Sequence, residues 1–293
     1  MTVDDGPSDP GLPGGPASGG PIRSRRRSQR VSWRAVAIAG ASTVVFFGAL
    51  AWIVVNAPGW DAFKESFLDP EIFWDALPDV VAAFWVNVRL FMVAEVLILA
   101  LGLVLAVMRS LPGPVFFPVR LLATAYVDLF RALPGVLVIF MLGFGIPGLG
   151  LAGVPVEPFF WGIVTLTLLY SAYVSEVYRA GIESIHPSQD AAARSLGLSR
   201  VQSLRFVVLP QAVRRVIPPL LNDFIGLQKD TVLVSFIGVV EIFRTAQIKQ
   251  AATFNFTPYL AVALVFVVVT FPLARVTDWL VARDRARAAA GAR

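Results

Sequence analysis

The sequence predicts an all-α membrane protein with about six transmembrane helices, on three observations. Of 293 residues 56% are hydrophobic and 15% charged, and the mean hydropathy is +0.70. A soluble domain is about one quarter charged, and a globule this apolar would expose more greasy surface than water tolerates. The apolar residues also gather into six runs, at 35–55, 88–108, 119–146, 158–178, 216–240 and 258–281. About twenty residues at 1.5 Å rise match a hydrocarbon core about 30 Å thick. Finally, the basic residues collect in alternate connecting segments, which is how membrane orientation is encoded.

Residues 1–34 read as a disordered cytoplasmic tail with a basic stretch. Its first twenty residues hold six Gly and four Pro and no basic residue, too little apolar area to offset the entropy of ordering. Arg23, Arg25, Arg26, Arg27, Arg30 and Arg34 then precede the uncharged run 35–55, a transmembrane anchor. A cleaved signal peptide is the rival reading, with Ala49-Leu50-Ala51 as a cleavage site. The apolar run continues through Trp52-Ile53-Val54-Val55, which favours a retained anchor. Segment 56–87 carries Asp61, Glu65, Asp69, Glu71, Asp75 and Asp79 against Lys64, and reads as an external segment.

The remaining five spans form a core at 88–281, followed by a cytoplasmic tail at 282–293. The span at 216–240 is interrupted by Asp223, Lys229 and Asp230 and opened by Pro218-Pro219, so it reads as a broken or re-entrant helix. With the N-terminus in the cytoplasm, the inside segments carry 18 basic residues against three outside, Lys64, Arg244 and Lys249. Both termini are therefore expected in the cytoplasm.

The composition also excludes chemistries. With no cysteine there is no disulfide, thiolate metal site or cysteine nucleophile. The one histidine, His186, builds no metal site, and no metal or other cofactor is expected. None of the three lysines precedes Ser or Thr, so there is no GxxxxGK[ST] phosphate loop, and neither HExxH nor GxSxG occurs. The chain is thus not expected to be an enzyme. The pI near 10.0 does not signal nucleic acid, because the basic residues flank apolar spans.

The loop at 180–215 carries the most information. Ser188 after Pro187 is a candidate N-cap, with Asp190 in the first turn where the helix dipole favours an acid. Gly197 is a natural helix stop, Ser199-x-x-Gln202 is a capping box, and Leu209-Pro210 ends the second helix. Read this way, the loop is two short helices at the membrane surface; an amphipathic interfacial loop of no special role fits the same pattern.

This loop resembles the EAA motif of ABC importer permeases, EAA-x3-G-x9-I-x-L-P, with Ala192, Ala193, Gly197, Val207, Leu209 and Pro210 in register. The motif's glutamate falls on Ala191, and Asp190 lies one residue early. One residue turns a helix by about 100°, so the resemblance implies docking on an ATPase by shape. Tyr126-Val127-Asp128-Leu129-Phe130-Arg131-Ala132-Leu133-Pro134 is similar to the Y-V-E-x-x-R-G-T-P signature of polar amino acid permeases. Lys229-Asp230-Thr231-Val232-Leu233 is similar to their K-D-T-S-L. The likeness spans 84–281, falls in the glutamate, glutamine and histidine branch, and with its additional first span is similar to glutamate permeases of high-GC Gram-positive bacteria.

The resemblance implies a five-helix permease core plus one extra N-terminal span in a bacterial cytoplasmic membrane. It implies an ATP-binding cassette ATPase dimer docked on the loop, an extracellular or lipid-anchored solute-binding protein, and a second permease subunit, a heterodimer being favoured over a homodimer. The substrate implied is a polar amino acid, glutamate or glutamine first. An ion-coupled secondary transporter is the alternative, since Glu95, Asp128 and Glu176 are intramembrane acids suited to carrying protons.

Intramembrane charges need partners or a purpose. Asp128 with Arg131, Glu176 with Arg179 and Glu241 with Arg244 are each spaced i,i+3, so each pair is able to neutralise itself. Arg131, Glu176, Lys229, Asp230 and Thr231 are the candidate substrate pathway. Arg131 would grip a carboxylate bidentately, with Glu176 or Asp230 facing an ammonium; bracing of helix against helix is the other reading of these residues. Glu95 reads as a structural residue, and Trp52, Trp60 and Trp161 as interfacial anchors.

Overall fold

The computed structural model describes residues 33–290, so the expectations for 1–32 and 291–293, including five of the six leading arginines, lie outside the described residues. The described residues fall into two compact units, divided after Trp60. In the first, helix α1 (Trp33–Val55) occupies the expected anchor and contributes no buried residue. From Ala35 onward it carries no charge, and its only polar side chains, Ser42 and Thr43, bond back to the Ala39 carbonyl, the character of a membrane-spanning helix.

The described residues of the second unit form helices joined by short connections. Helices α2 (Trp60–Phe67) and α3 (Pro70–Ser110) come first. Asp69 caps α3 by accepting from the backbone N–H of Glu71 (2.9 Å) and Ile72 (3.2 Å), ahead of Pro70 in the first turn. The helix is longer than the expected span because it continues back through the segment read as external. Helix α4 (Phe117–Ala132) and α5 (Gly135–Phe140) follow, α5 running through a π-turn at Met141–Gly145 into α6 (Ile146–Gly148). Then come α7 (Pro158–Glu183), α8 (Pro187–Ser195), α9 (Arg200–Ser203), α10 (Leu209–Asp230), α11 (Ile242–Thr253) and α12 (Thr257–Ala290).

Four helical stretches among the described residues are long and apolar enough to cross a membrane singly, rising to six spans when two bent pairs each count as one. The expected span at 119–146 is the first such pair, with its axis turned by 107° between α4 and α5–α6. Pro134 causes the break: its ring excludes the residue before it from helical geometry, and Leu133 sits extended at φ −89°, ψ 137°. The second pair bends by 50° between α10 and α11. There the helix tightens into a 3-10 turn at Thr231–Ile237 and ends on Gly238, whose φ of +94° suits a residue without a Cβ. This is the broken span expected from its charges. Its start differs from expectation: a π-turn at Leu204–Val208 carries α9 directly into α10, so Leu209-Pro210 does not end a helix. Pro218 and Pro219 fall inside α10.

The core lies where α3 crosses α7. Leu90, Phe91, Ala94 and Ile98 of α3 pack with Trp161, Leu166 and Val174 of α7, Leu227 of α10 and Val234 and Ile237 of the 3-10 turn. In lipid such contacts depend on close approach more than on water exclusion. Gly102 supplies it: a Cβ there would lie 2.7 Å from Val174 Cγ1 and 3.3 Å from the Ser171 carbonyl. A second cluster joins Val80 of α3 to Ile242 and Ala246 of α11 and Ala261 of α12. Between the clusters, buried Asn87 donates to Thr231 Oγ1 (3.1 Å) and Glu241 Oε2 (2.8 Å) and accepts from the Ile242 N–H (3.2 Å).

Candidate functional site

Three polar features lie against this apolar frame. The first is the connection between α7 and α10. The N-cap of α8 is His186, not Ser188: its Nδ1 accepts from the Ser188 N–H at 3.2 Å, leaving Pro187 in the first turn. Helix α8 stops where expected, with Gly197 at φ +90° and the Leu198 N–H returning to the Ala193 carbonyl at 3.3 Å. The capping box forms in full, Gln202 N–H to Ser199 Oγ (3.3 Å) and Ser199 N–H to Gln202 Oε1 (2.8 Å). Asp190 accepts from the buried Ser203 hydroxyl at 2.5 Å, tying α8 to α9. Ala193 is buried, whereas Ala191 and Ala192 are exposed. Leu196 (82% exposed), Val201 (73%) and Phe206 (63%) project from this connection, and Leu209 and Pro210 are exposed where α10 begins.

The second feature is an ion cluster. Glu176 of α7 meets Arg109 at the end of α3 (2.7 Å), Arg131 at the end of α4 (3.3 Å) and Arg179 of its own helix (2.8 Å), and Arg179 also holds Glu183 (2.7 Å). The i,i+3 pairing of Glu176 with Arg179 thus forms, but Arg131 reaches across to Glu176 instead of to Asp128. Glu241 does not pair with the Arg244 guanidinium. Its carboxylate caps α11, accepting from the Phe243 (3.1 Å) and Arg244 (2.8 Å) N–H groups, and the Arg244 guanidinium bonds Gln247.

The third feature is a cavity of about 480 Å³ between α5, α7, α10 and the 3-10 turn. Gly135 and Leu233 close one side, Tyr170 and Tyr173 present their rings from α7, and Asn222, Asp223, Gly226 and Asp230 line the α10 side. The Tyr170 hydroxyl donates to Asp230 Oδ2 at 2.7 Å. Asp223 Oδ2 is shielded from solvent and has no hydrogen-bond partner. The volume falls within the range of small-molecule sites.

Of the five residues expected to form a pathway, the structure places only Asp230 on this cavity. Arg131 and Glu176 belong to the ion cluster. Lys229 is exposed and absent from the lining. Thr231 is buried, donating to the Gln228 carbonyl (2.8 Å) and accepting from Asn87. Tyr170, Tyr173, Asn222 and Asp223 are site residues that sequence reasoning misses. Their signal in the sequence is the spacing Asp223 to Asp230, two helical turns, which sets both carboxylates on one face of α10.

Known proteins resemble this chain over most of this architecture. The family model for the binding-protein-dependent transport system inner membrane component matches residues 98–285. The probable glutamine ABC transporter permease protein GlnM of Bacillus subtilis (strain 168) is 38% identical over 181 residues, 61% of this chain and 81% of that protein. The glutamate transport system permease protein GluC of Corynebacterium glutamicum is 34% identical over 210 residues, 68% of this chain and 91% of that protein. The crystal structure of an amino acid ABC transporter with histidines superposes with a TM-score of 0.64 at 30% identity, over 70% of this chain and 94% of that one.

Proposed function

The chain belongs to the family of binding-protein-dependent transport system inner membrane components, and from that premise we propose that it is the permease subunit of an ATP-driven importer of a polar amino acid. Glutamine and glutamate, named for two relatives, are the first substrates to test. The observation that carries this reading is the α8–α9 connection. It is capped at both helices, cross-tied through Asp190 and Ser203, and leaves Leu196, Val201 and Phe206 exposed. An exposed apolar relief on a rigid support is a surface for a protein partner.

In this reading an ATP-binding cassette ATPase dimer docks on the loop of Asp190, Ala191, Ala192 and Gly197, which buried Ala193 seats against the chain, and on Leu209 and Pro210 where α10 begins. A solute-binding protein delivers the amino acid from the opposite side. A second permease subunit, a paralogue more readily than a copy, completes a two-fold channel. Both termini lie in the cytoplasm, as the basic residues favour. ATP hydrolysis takes place in the partner. Closure of the ATPase shifts the access of the cavity by contacting the α8–α9 loop differently in its two states, since a ligand moves an equilibrium only through differential affinity. Asp230 faces the substrate, while Arg131, Glu176 and Thr231 brace the helices that move, and Lys229 lies outside the cavity.

The test is uptake of labelled glutamine and glutamate into proteoliposomes holding the chain with its second permease, ATPase and binding protein, with ATP inside and no ion gradient. Uptake that requires ATP is expected. Uptake by the purified chain alone under an imposed proton gradient would overturn the reading.

A further inference from the structure

A second cavity, of about 220 Å³, lies between α3, α10 and α12 and shares no lining residue with the first. Its walls are hydrocarbon. Phe91 of α3 meets Phe224 of α10 edge to face, centroids 4.6 Å apart, and Val269 and Leu273 line the α12 side. Met92 in the lining and Val268 and Phe271 beside it are exposed, so the cavity borders on apolar surface that faces lipid.

Two polar residues line it, Asn87 and Gln228, both buried, and no charged residue does. The Thr231 hydroxyl accepts from Asn87 (3.1 Å) and donates to the Gln228 carbonyl (2.8 Å), which sets the two at one level. That level is where the apolar span of α3 begins. Lys249 holds Asp75 and Asp79 at 2.9 Å each, and Asn87 follows Asp79 by about 12 Å along the helix at 1.5 Å per residue. The polar end of the cavity therefore stands near the boundary of the hydrocarbon core, where lipid esters lie. The Asn87 amide is spent on Thr231, Glu241 and the Ile242 N–H. Gln228 Oε1 accepts from Thr270 (3.0 Å), but Gln228 Nε2, shielded from solvent, has no partner. A bound water needs several polar partners and would find only this donor.

We propose that this cavity binds a diacyl membrane lipid, seating one acyl chain between α3, α10 and α12 with its ester carbonyl on Gln228 Nε2. The carbonyl is an acceptor that carries no proton, the complement of an N–H that lacks only an acceptor. Lipid is as apolar as these walls, so the acyl chain is held by filling the cavity and by that bond, not by exclusion of water. An ether-linked chain fills the same space and brings no carbonyl. The site requires only that the protein lies in a membrane and is independent of what it transports.

The experiment is photolabelling of the full-length chain in nanodiscs containing phosphatidylglycerol with a diazirine at mid-chain, in a diester and a diether form, read by peptide mass spectrometry. Labelling of Phe91 and Phe224, normalised to that of α1, whose residues are exposed, is expected to be at least threefold stronger with the diester. Gln228→Leu, which removes the donor and keeps most of the volume, is expected to bring the two lipids to equal labelling. Val269→Trp, which fills the cavity, is expected to lower labelling by the diester at least fivefold. Should either variant fail to elute as the wild type does on gel filtration, the diester-to-diether ratio of the wild type decides the matter. Equal labelling by the two lipids in the wild type, no labelling of Phe91 and Phe224, a ratio that survives Gln228→Leu, or labelling unchanged by Val269→Trp would overturn the proposal.

Discussion

Ser203→Ala removes the hydroxyl that holds Asp190 and leaves its carboxylate exposed to repulsion or rotation at the surface where the ATPase is proposed to dock. One such bond contributes about 1 kcal/mol, or more with a charged partner. The expected outcome is a protein that still folds but couples poorly: substrate-stimulated ATPase activity falls severalfold in the reconstituted complex while thermal stability moves by a degree or two. Equal stimulation in wild type and variant would show that the tie does not serve coupling. Glu176→Gln acts on a different scale, because three guanidiniums lose their shared anion. Hydrogen bonds to charged groups contribute about 1.5–3 kcal/mol, so a clear drop in the thermal unfolding midpoint is expected, and Arg131→Gln, which removes the longest of the three contacts, should cost least. At this scale the sequence is half legible. Capping residues such as Ser199 and Gln202 act on neighbours within a few positions, so local spacing reveals them. The partner of Arg131 lies on another helix, and the crossing of α4 over α7 that brings Glu176 to it is not written in an i,i+3 pattern. The same holds for Asn87, whose three partners are more than 140 residues away in sequence.

Helices here are interrupted where chemistry requires it and packed where side chains are missing. The break after α4 is hidden because Leu133-Pro134 sits inside a continuous apolar run, and hydropathy alone does not register that a proline forbids helical geometry to its predecessor. The break after α10 is visible because charge interrupts the run. Neither break wastes backbone polarity: the residues after Pro134 restart a helix at once, and the turn at Thr231–Ile237 stays hydrogen-bonded before Gly238 reverses its sense. The close approach of α3 and α7 is carried by the absence of a side chain at Gly102. Gly102→Ala places a methyl 2.7 Å from Val174 Cγ1 and within 3.3 Å of the Ser171 carbonyl, so backbone as well as side chain must yield. Overpacking of this kind costs about 1–3 kcal/mol. A lowered unfolding midpoint is expected for Gly102→Ala, and partial recovery in the double variant with Val174→Ala, measured as a double-mutant cycle. Additive effects would place the strain elsewhere.

For the molecule as a whole, composition and charge distribution set the class of structure before any single motif is considered, because lipid tolerates only backbones that satisfy their own hydrogen bonds. Six apolar runs therefore had to be helical, and the described residues give four singly spanning stretches and two bent pairs in the same order. What the runs do not encode is which polar residues converge, since that depends on the angles at which helices cross; hence the cavity acids stand out in the sequence as members of an interrupted span and not as a site. Orientation, in contrast, is expected from electrostatics that need no fold: 18 basic residues stand in the segments expected inside against three in those expected outside. The chain is naturally free of cysteine, so single thiols report on sidedness without background. Ala62 lies exposed in α2 and Ser195 exposed at the end of α8, on opposite sides under the proposed arrangement. In intact cells a membrane-impermeant maleimide is expected to label Ala62→Cys at once and Ser195→Cys only after permeabilisation, since the loop that carries Ser195 must face the compartment that holds ATP. The reverse pattern would put that loop outside, beyond reach of any ATPase, and the importer reading would fall with the orientation.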